Sequence, residues 1–295
     1  MNPLQVPHTV LQCRLISSTL RSALNAVISE QGLKDFHQRV HESNQDKPEI
    51  HVRRGDSNPA LEEPHEDGPT HKRTFNVGEG SKSPYFRRPT MGDSAVLVSM
   101  VNLKKAEKPK NEAEEVDQPW FLYTHRSYHL RSHRGEMCFP GGRLEKGESI
   151  KQAALREGFE EINIFPEYLT IWSELQPSLT RNLKTNVTPV VAVCDEKALS
   201  FLKPQVEEVQ SVYLIPMSDF VQSRRYTSFR LPKHKYTLPA FFSNNFKVVT
   251  ATDDAYYCPD GIVRIWGLSG MITDQTISYL LPEEIFPREP HSIIR

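Results

Sequence analysis

The 295-residue chain has a formal net charge of −1 and 38% hydrophobic residues, enough for one α/β domain with attached segments. That balance supplies no global field to recruit nucleic acid or an anionic membrane, and no apolar run approaches the ~18–20 residues that span a bilayer, so a soluble protein is expected. Four scattered cysteines (Cys13, Cys138, Cys194, Cys258) with no CxxC pair argue against a disulfide framework or a cysteine zinc site and fit a reducing compartment.

Residues 1–29 contain no acidic residue, while Arg14 and Arg21 sit among Leu, Val, Ile, Ser and Thr. The stretch from Val10 to Ile28 reads as an amphipathic helix, either in a mitochondrial transit segment or docked on the domain. The C-terminus, His291 to Arg295, is no peroxisomal SKL-type address; the expected location is the mitochondrion, with the cytosol as the alternative. From Ser43 to Arg88 the chain is rich in Pro, Gly and charge and poor in large apolar residues, a composition that cannot offset its ordering entropy. The expected division is therefore a segment at 1–29, a polar and largely disordered linker at 30–90, a packed domain at 91–282 and a tail at 283–295.

The domain opens with the β-rich run Ala95 to Val98. A polar insert from Lys104 to Gln118 reads as a mobile loop, and Trp120 to Thr124 begins the next strand. Further strands are expected at Thr170–Leu175, Val187–Cys194, Val209–Ile215 and Val263–Trp266, and a helix from Leu268 to Leu281 ended by Pro282. Strands mixed with two good helices imply a layered α/β domain.

The chemistry concentrates between Gly141 and Ile164. Gly141-Gly142 after Pro140 and then Gly147 permit tight turns, and Ser149 with Gln152 three residues on forms a capping box that should start a helix. On a 3.6-residue period Glu157 and Glu161 are i and i+4 with Glu160 beside them, so one face presents three carboxylates. Leu155, Phe159 and Ile162 are expected to bury themselves on the opposite side. Such a helix is costly unless a hard divalent cation removes the repulsion; the competing reading is a solvated acidic face.

This segment resembles the Nudix box through Gly142, Glu148, Arg156, Glu157, Glu160, Glu161 and Ile164. Six fixed identities would coincide by chance on the order of 10⁻⁷ per starting position, which weighs against the solvated-face reading. Two positions depart from the pattern: Gly158 replaces an apolar residue, weakening a helix interior by roughly 0.5–1 kcal/mol. Asn163 replaces the terminal glycine, where Asn is the next most tolerant residue of a left-handed cap. Upstream, Leu122-Tyr123-Thr124-His125-Arg126-Ser127, Arg131, Gly135 and Phe139-Pro140-Gly141-Gly142 are similar to the signature of the coenzyme A diphosphatase family, with Tyr123 in place of Leu. Val187 to Val190 and Ile265 to Leu268 add to a likeness running from Ser94 to Leu281.

The resemblance implies a Nudix α/β/α sandwich with a mixed sheet, preceded by a poorly ordered N-terminal extension. It implies magnesium or manganese and a small-molecule substrate, coenzyme A or an acyl-coenzyme A, cut to 3′,5′-adenosine diphosphate and (acyl-)4′-phosphopantetheine. The expected metal ligands are Glu157 and Glu161 with Glu160; Glu160, Arg156 and Glu148 are the expected catalytic set, Arg156 holding helix to loop through Glu148 or Glu160. Arg126, Arg131, Gly141 and Gly142 are expected at the substrate, with Arg134 either there or at the surface. The general base is left between Glu160 and a downstream carboxylate, Glu207 or Glu208. His125, His129 and His133 recur every four residues but precede Gly135 too closely for one helix, so they read as hydrogen-bonding groups rather than a zinc site. A Nudix hydrolase of another nucleoside diphosphate derivative such as ADP-ribose, and a silent coenzyme A-binding module, are the competing functions.

Overall fold

The computed structural model of the chain describes residues 16–45, 92–103, 117–179, 185–230, 235–253, 260–288 and 293–294. The N-terminal stretch before residue 16, the bulk of the expected linker and residues 104–116 of the expected loop lie outside the described residues.

The centre is a mixed nine-stranded sheet. β1 (Ser94–Asn102), β2 (Pro119–Arg126), β5 (Leu169–Glu174), β7 (Asn186–Cys194), β8 (Val209–Pro216) and β11 (Lys247–Ala251) lie in the order β11-β8-β2-β1-β7-β5. β1 and β7 are parallel, while β1 and β2 are antiparallel. Three short strands complete it: β3 (Met137–Cys138) on β2, β4 (Gly141–Arg143) on β1 and β6 (Ser178–Leu179) on β7. The period-2 geometry of a strand explains why β1 is apolar almost throughout. Ala95, Leu97 and Val101 enter one core and Val96, Val98 and Met100 the other. Trp120 and Leu122 of β2 and Val212 and Leu214 of β8 join the first; Phe121, Tyr123, Tyr213 and Ile215 join the second.

Helices close both faces, giving the expected α/β/α sandwich. α3 (Ile150–Ile162) covers the first core with Ile150, Ala153, Ala154 and Ile162. The second core is covered by α1 (Ser18–Ala26), α2 (Glu30–Gln45), α4 (Met217–Ser223) and α5 (Gly267–Leu280). A smaller sheet joins β10 (Lys235–Ser243) to β9 (Arg225–Arg230), β12 (Val263–Ile265) and β13 (Ile293–Ile294).

Two expectations need correcting. Residues 30–45 are not linker but α2, whose Phe36 is fully buried against Trp172 (ring centroids 5.4 Å) and Tyr279 (6.5 Å). Burying a ring of that size is worth about 1.5–3 kcal/mol. Arg39 Nη1 donates to the carbonyls of Tyr279 (2.9 Å) and Leu280 (3.0 Å), placing a cation at the C-terminus of α5 where the helix dipole favours one. Residues 283–295 are not simply a tail: Ile285 and Phe286 N–H both donate to the Pro282 carbonyl at 3.0 Å, and Phe286 is buried beneath the Arg224 guanidinium, 4.1 Å from its centroid. Within the N-terminal segment, α1 docks through Leu24 and Val27, which is the docked alternative for that stretch. β9, β10 and β11 were not anticipated at all.

Candidate active site

The Gly-Gly turn has a steric cause at each position. Gly141 pairs with Val96 across β1 and β4, and a Cβ there would collide with the Ala95 carbonyl and come within 2.7 Å of Val96 Cα. At Gly142 a Cβ would occupy the place taken by the Glu157 carboxylate. One glycine lets the turn lie on the sheet; the other lets the helix carboxylate lie on the turn.

Beyond the turn, Leu144 N–H donates to the Asp93 carbonyl at 3.0 Å and Gly147 takes φ +83°. The expected capping box is present: Ser149 Oγ accepts from Gln152 N–H at 3.3 Å and Gln152 Oε1 accepts from Ser149 N–H at 2.9 Å. Gly158 sets the approach of α3 to the sheet, because a Cβ there would stand 2.7 Å from Leu97 Cδ2. The helix ends on Asn163 in the left-handed conformation (φ 58°, ψ 35°), its Nδ2 donating to the Phe201 carbonyl at 2.8 Å.

The faces of α3 differ from expectation at three residues, the first being Leu155, which is only partly buried. Phe159 is 43% exposed and packs at a tilt on Phe165, whereas Glu161 is 4% exposed on the face that covers the sheet. The buried stripe runs through Ala154, Gly158, Glu161 and Ile162, so it includes a carboxylate and excludes an aromatic ring.

Arg156 ties the loop to the helix. Its Nε and Nη2 donate to the two oxygens of Glu148 at 2.9 and 3.1 Å, Nη1 donates to Glu157 at 3.0 Å and Glu160 at 2.8 Å, and Nη2 also reaches the Arg143 carbonyl at 3.0 Å. The planar guanidinium fork makes such shared, bidentate contact possible. Glu148 also accepts from Glu145 N–H at 2.9 Å; the Arg156 contact holds its carboxyl below the usual range. Glu160 lies at the outer edge, its side chain 55% exposed.

Glu161 stands in a different environment. Burial, then the charges of Glu208 and Glu157, push its pKa up to about 8, with Arg126 and the Gly141 backbone opposing the rise. Glu157 is also raised, first by burial, against the pull of Arg156, with Glu160 and Glu208 adding to the rise. Glu208, the downstream carboxylate anticipated with Glu207, is brought here by backbone ties. Gln205 N–H donates to the Glu161 carbonyl (2.8 Å), Glu208 N–H to Gln205 (2.9 Å) and Ser127 N–H to Glu208 (2.8 Å).

Whether these residues suit a divalent cation can be tested on their own chemistry. Among the described residues, no three Asp, Glu, His or Cys side chains converge as a closed ligand set. Yet Glu157, Glu161 and Glu208 repel one another, and Glu161 is too buried to hold a charge comfortably alone. Carboxylate oxygens in mutual repulsion are the donors a hard divalent cation takes, so the set fits.

Arg126 ends β2 beside this group, and its Nε is buried without a hydrogen-bond partner. Arg131 and Arg134 are exposed in the turns after β2. The three histidines share no helix. His125 Nε2 lies 3.2 Å from the Gly135 carbonyl and burial lowers its pKa, while His133 (φ 54°) pairs with Glu136 at 3.0 Å and His129 lies in an exposed turn. Sequence reasoning did not single out Cys138, which lies near Glu161 with its Sγ 3.2 Å from Thr124 Oγ1. Burial, and secondarily Glu161, raise that thiol to about 11, so it stays protonated near neutral pH and is a poor nucleophile. No motif marks it.

Comparison with known proteins places these features among relatives. The NUDIX domain family model matches residues 109–233. "Nudix hydrolase 3" of Caenorhabditis elegans is 43% identical over 163 residues, covering 55% of this chain and 67% of that protein. "Mitochondrial coenzyme A diphosphatase NUDT8" of Mus musculus is 33% identical over 169 residues, 56% of this chain and 72% of that protein. "Peroxisomal coenzyme A diphosphatase ndx-8" of Caenorhabditis elegans is 32% identical over 108 residues, 35% of this chain and 44% of that protein.

Proposed function

The chain belongs to the Nudix hydrolase family, and from that premise we propose that it cleaves the diphosphate bond of coenzyme A or an acyl-coenzyme A. Membership makes it a hydrolase of nucleoside diphosphate derivatives that works with a divalent metal; the substrate and the choice of magnesium or manganese are the proposal. The products are 3′,5′-adenosine diphosphate and (acyl-)4′-phosphopantetheine.

The observation that carries the reading is the cluster of Glu157, Glu161 and Glu208 beside Arg126, whose buried Nε–H has no partner. Coenzyme A is favoured because the signature that delivers Arg126 and Gly141-Gly142 to this cluster resembles that of coenzyme A diphosphatases, the name two of the relatives carry.

In this reading Glu157 and Glu161 hold the metal, with Glu160 as an outer ligand or water-orienting group. When bound, the cation stabilises charge growing on the leaving phosphate and makes water more acidic. Arg126 donates to a diphosphate oxygen, and Arg131 neutralises substrate charge from the rim. Arg156 stays on the protein side and fixes Glu148, Glu157 and Glu160 relative to one another. Glu208 accepts the proton of the attacking water, a role for which its backbone ties position it. No covalent enzyme intermediate is needed, because water attacks phosphorus in line.

Product analysis tests this directly. Purified chain with magnesium is incubated with coenzyme A, acetyl-coenzyme A and ADP-ribose. The reading expects 3′,5′-adenosine diphosphate and the matching phosphopantetheine from the first two. A clear preference for ADP-ribose, or ligand-dependent thermal stabilisation without product, contradicts it. We propose a mitochondrial location on the printed name of the mouse relative, with the cytosol as the alternative.

A further inference from the structure

An open cavity of about 360 Å³ is lined by His129, Val206, Glu207, Thr252 and Asp253. Its walls come from three places that the backbone fastens together. Ser127 N–H donates to the Glu208 carbonyl (2.8 Å), joining the turn that carries His129 to the one that carries Glu207. Thr252 N–H donates to the Gln210 carbonyl (2.7 Å). Val206 and Glu207 of its wall immediately precede Glu208 in the chain, and none of the lining residues is a member of the carboxylate cluster.

Its chemistry is unlike that of the arginine-bearing rim. None of the five lining residues is Lys or Arg, two are carboxylates, and Val206 is 50% exposed, an apolar surface in an otherwise polar wall. Two carboxylates beside the cluster of glutamates repel a phosphate. They accept hydrogen bonds from amide N–H and hydroxyl groups, and Val206 offers contact to methyl groups. Resting on the substrate class proposed above, we infer that this cavity receives the uncharged pantetheine arm of coenzyme A. The amide and hydroxyl donors of the arm face Glu207 and Asp253, and its geminal methyl groups face Val206. The 3′-phosphoadenosine end is then directed to the exposed Arg131 and Arg134, further along the turn that carries His129. The cavity thus sets the orientation of the substrate across the cluster, and its residues determine specificity without touching the reacting phosphorus.

The test compares two substrates of the full chain with magnesium: coenzyme A, and the methyl diphosphate ester of 3′-phosphoadenosine, which keeps the nucleotide and diphosphate but lacks the arm. Val206→Asn and Asp253→Lys are used because both positions are exposed and lie outside the carboxylate cluster. Val206→Asn is expected to raise KM for coenzyme A about tenfold, the scale of a lost apolar pocket contact, with kcat within about twofold and the methyl ester unaffected, because the charge of the wall does not change. Asp253→Lys is expected to raise KM for coenzyme A while leaving or improving that for the methyl ester. Equal shifts on both substrates would assign the cavity to the nucleotide end and overturn the inference, as would no shift on either. Failure of the unsubstituted chain to cleave coenzyme A would overturn the parent reading and this one with it. Normal cleavage with insensitive variants would overturn this one alone.

Discussion

The two faces of the central sheet are built on opposite plans. The face under α1, α2, α4 and α5 is filled with large rings, among them Phe36, Phe121, Tyr123, Phe220 and Phe241. The Tyr123 hydroxyl, buried within it, is paired with Thr273. The face under α3 packs small residues, Ala95, Ala153, Ala154 and Gly158, so that helix and sheet approach closely. It also buries Glu161 near two other carboxylates. One face is complete in itself; the other holds charge repulsion that a cation would remove. Stability and chemistry have been assigned to opposite sides of one sheet.

Substitutions that separate the two sides give the sharpest tests. Glu161→Gln should lower kcat by roughly a thousandfold or more, since several kcal/mol of transition-state stabilisation depend on the metal site, while circular dichroism shows an intact fold. Full activity at saturating magnesium would remove Glu161 from the ligand set. On the other face, Phe36→Ala should cost about 3–5 kcal/mol in denaturant unfolding, with kcat per folded molecule unchanged. A parallel loss of metal affinity would mean that the faces are coupled.

The pH dependence distinguishes them next. Glu161, raised to about 8, binds a proton in the folded state across a range where the unfolded carboxyl, near 4.5, has released it. Its contribution to metal-free stability is therefore fully present at acid pH and is lost as pH rises from about 4.5 to about 8, by an amount on the order of a few kcal/mol. Glu161→Gln should flatten that slope and be more stable than the parent above neutrality. An unchanged slope would refute the assignment. Divalent metal should reverse the trend, because it binds the deprotonated carboxylates and not the protonated ones. The smallest effect expected is at the end of α3. Asn163→Ala, forced into the left-handed region, should cost about 1–2 kcal/mol, and Asn163→Gly less, as thermal unfolding would show.

How far the sequence foretold this arrangement follows from the same physics. The carboxylate helix was legible because capping box, glycine turn and helical period act locally and agree. The central strands were legible because burial on both faces leaves nearly continuous apolar runs, as in β1, β2 and β7. What was misread depends on tertiary neighbours. The helical period and residue type put Phe159 inside and Glu161 outside, whereas the close approach of α3 at Gly158 against Leu97 turns Glu161 toward the sheet. α2 shows only Leu33, Phe36 and Val40 as large apolar residues in a strongly polar run, so its composition read as linker although one fully buried ring anchors it. β9 gave no burial signal, since Arg225, Tyr226, Thr227 and Ser228 are all exposed. Glu208 could be suspected only as a charged residue before a strand; the backbone bonds from Ser127 and Gln205 that place it are long-range.

Manganese titration of the full, metal-free chain near neutral pH, with bound ion counted by loss of the free-ion electron paramagnetic resonance signal, addresses the acidic face directly. The parent should bind manganese with release of protons from Glu161 and its neighbours, and Glu161→Gln should bind at least about tenfold more weakly. Identical binding curves for the two proteins, with no proton release, would contradict the account.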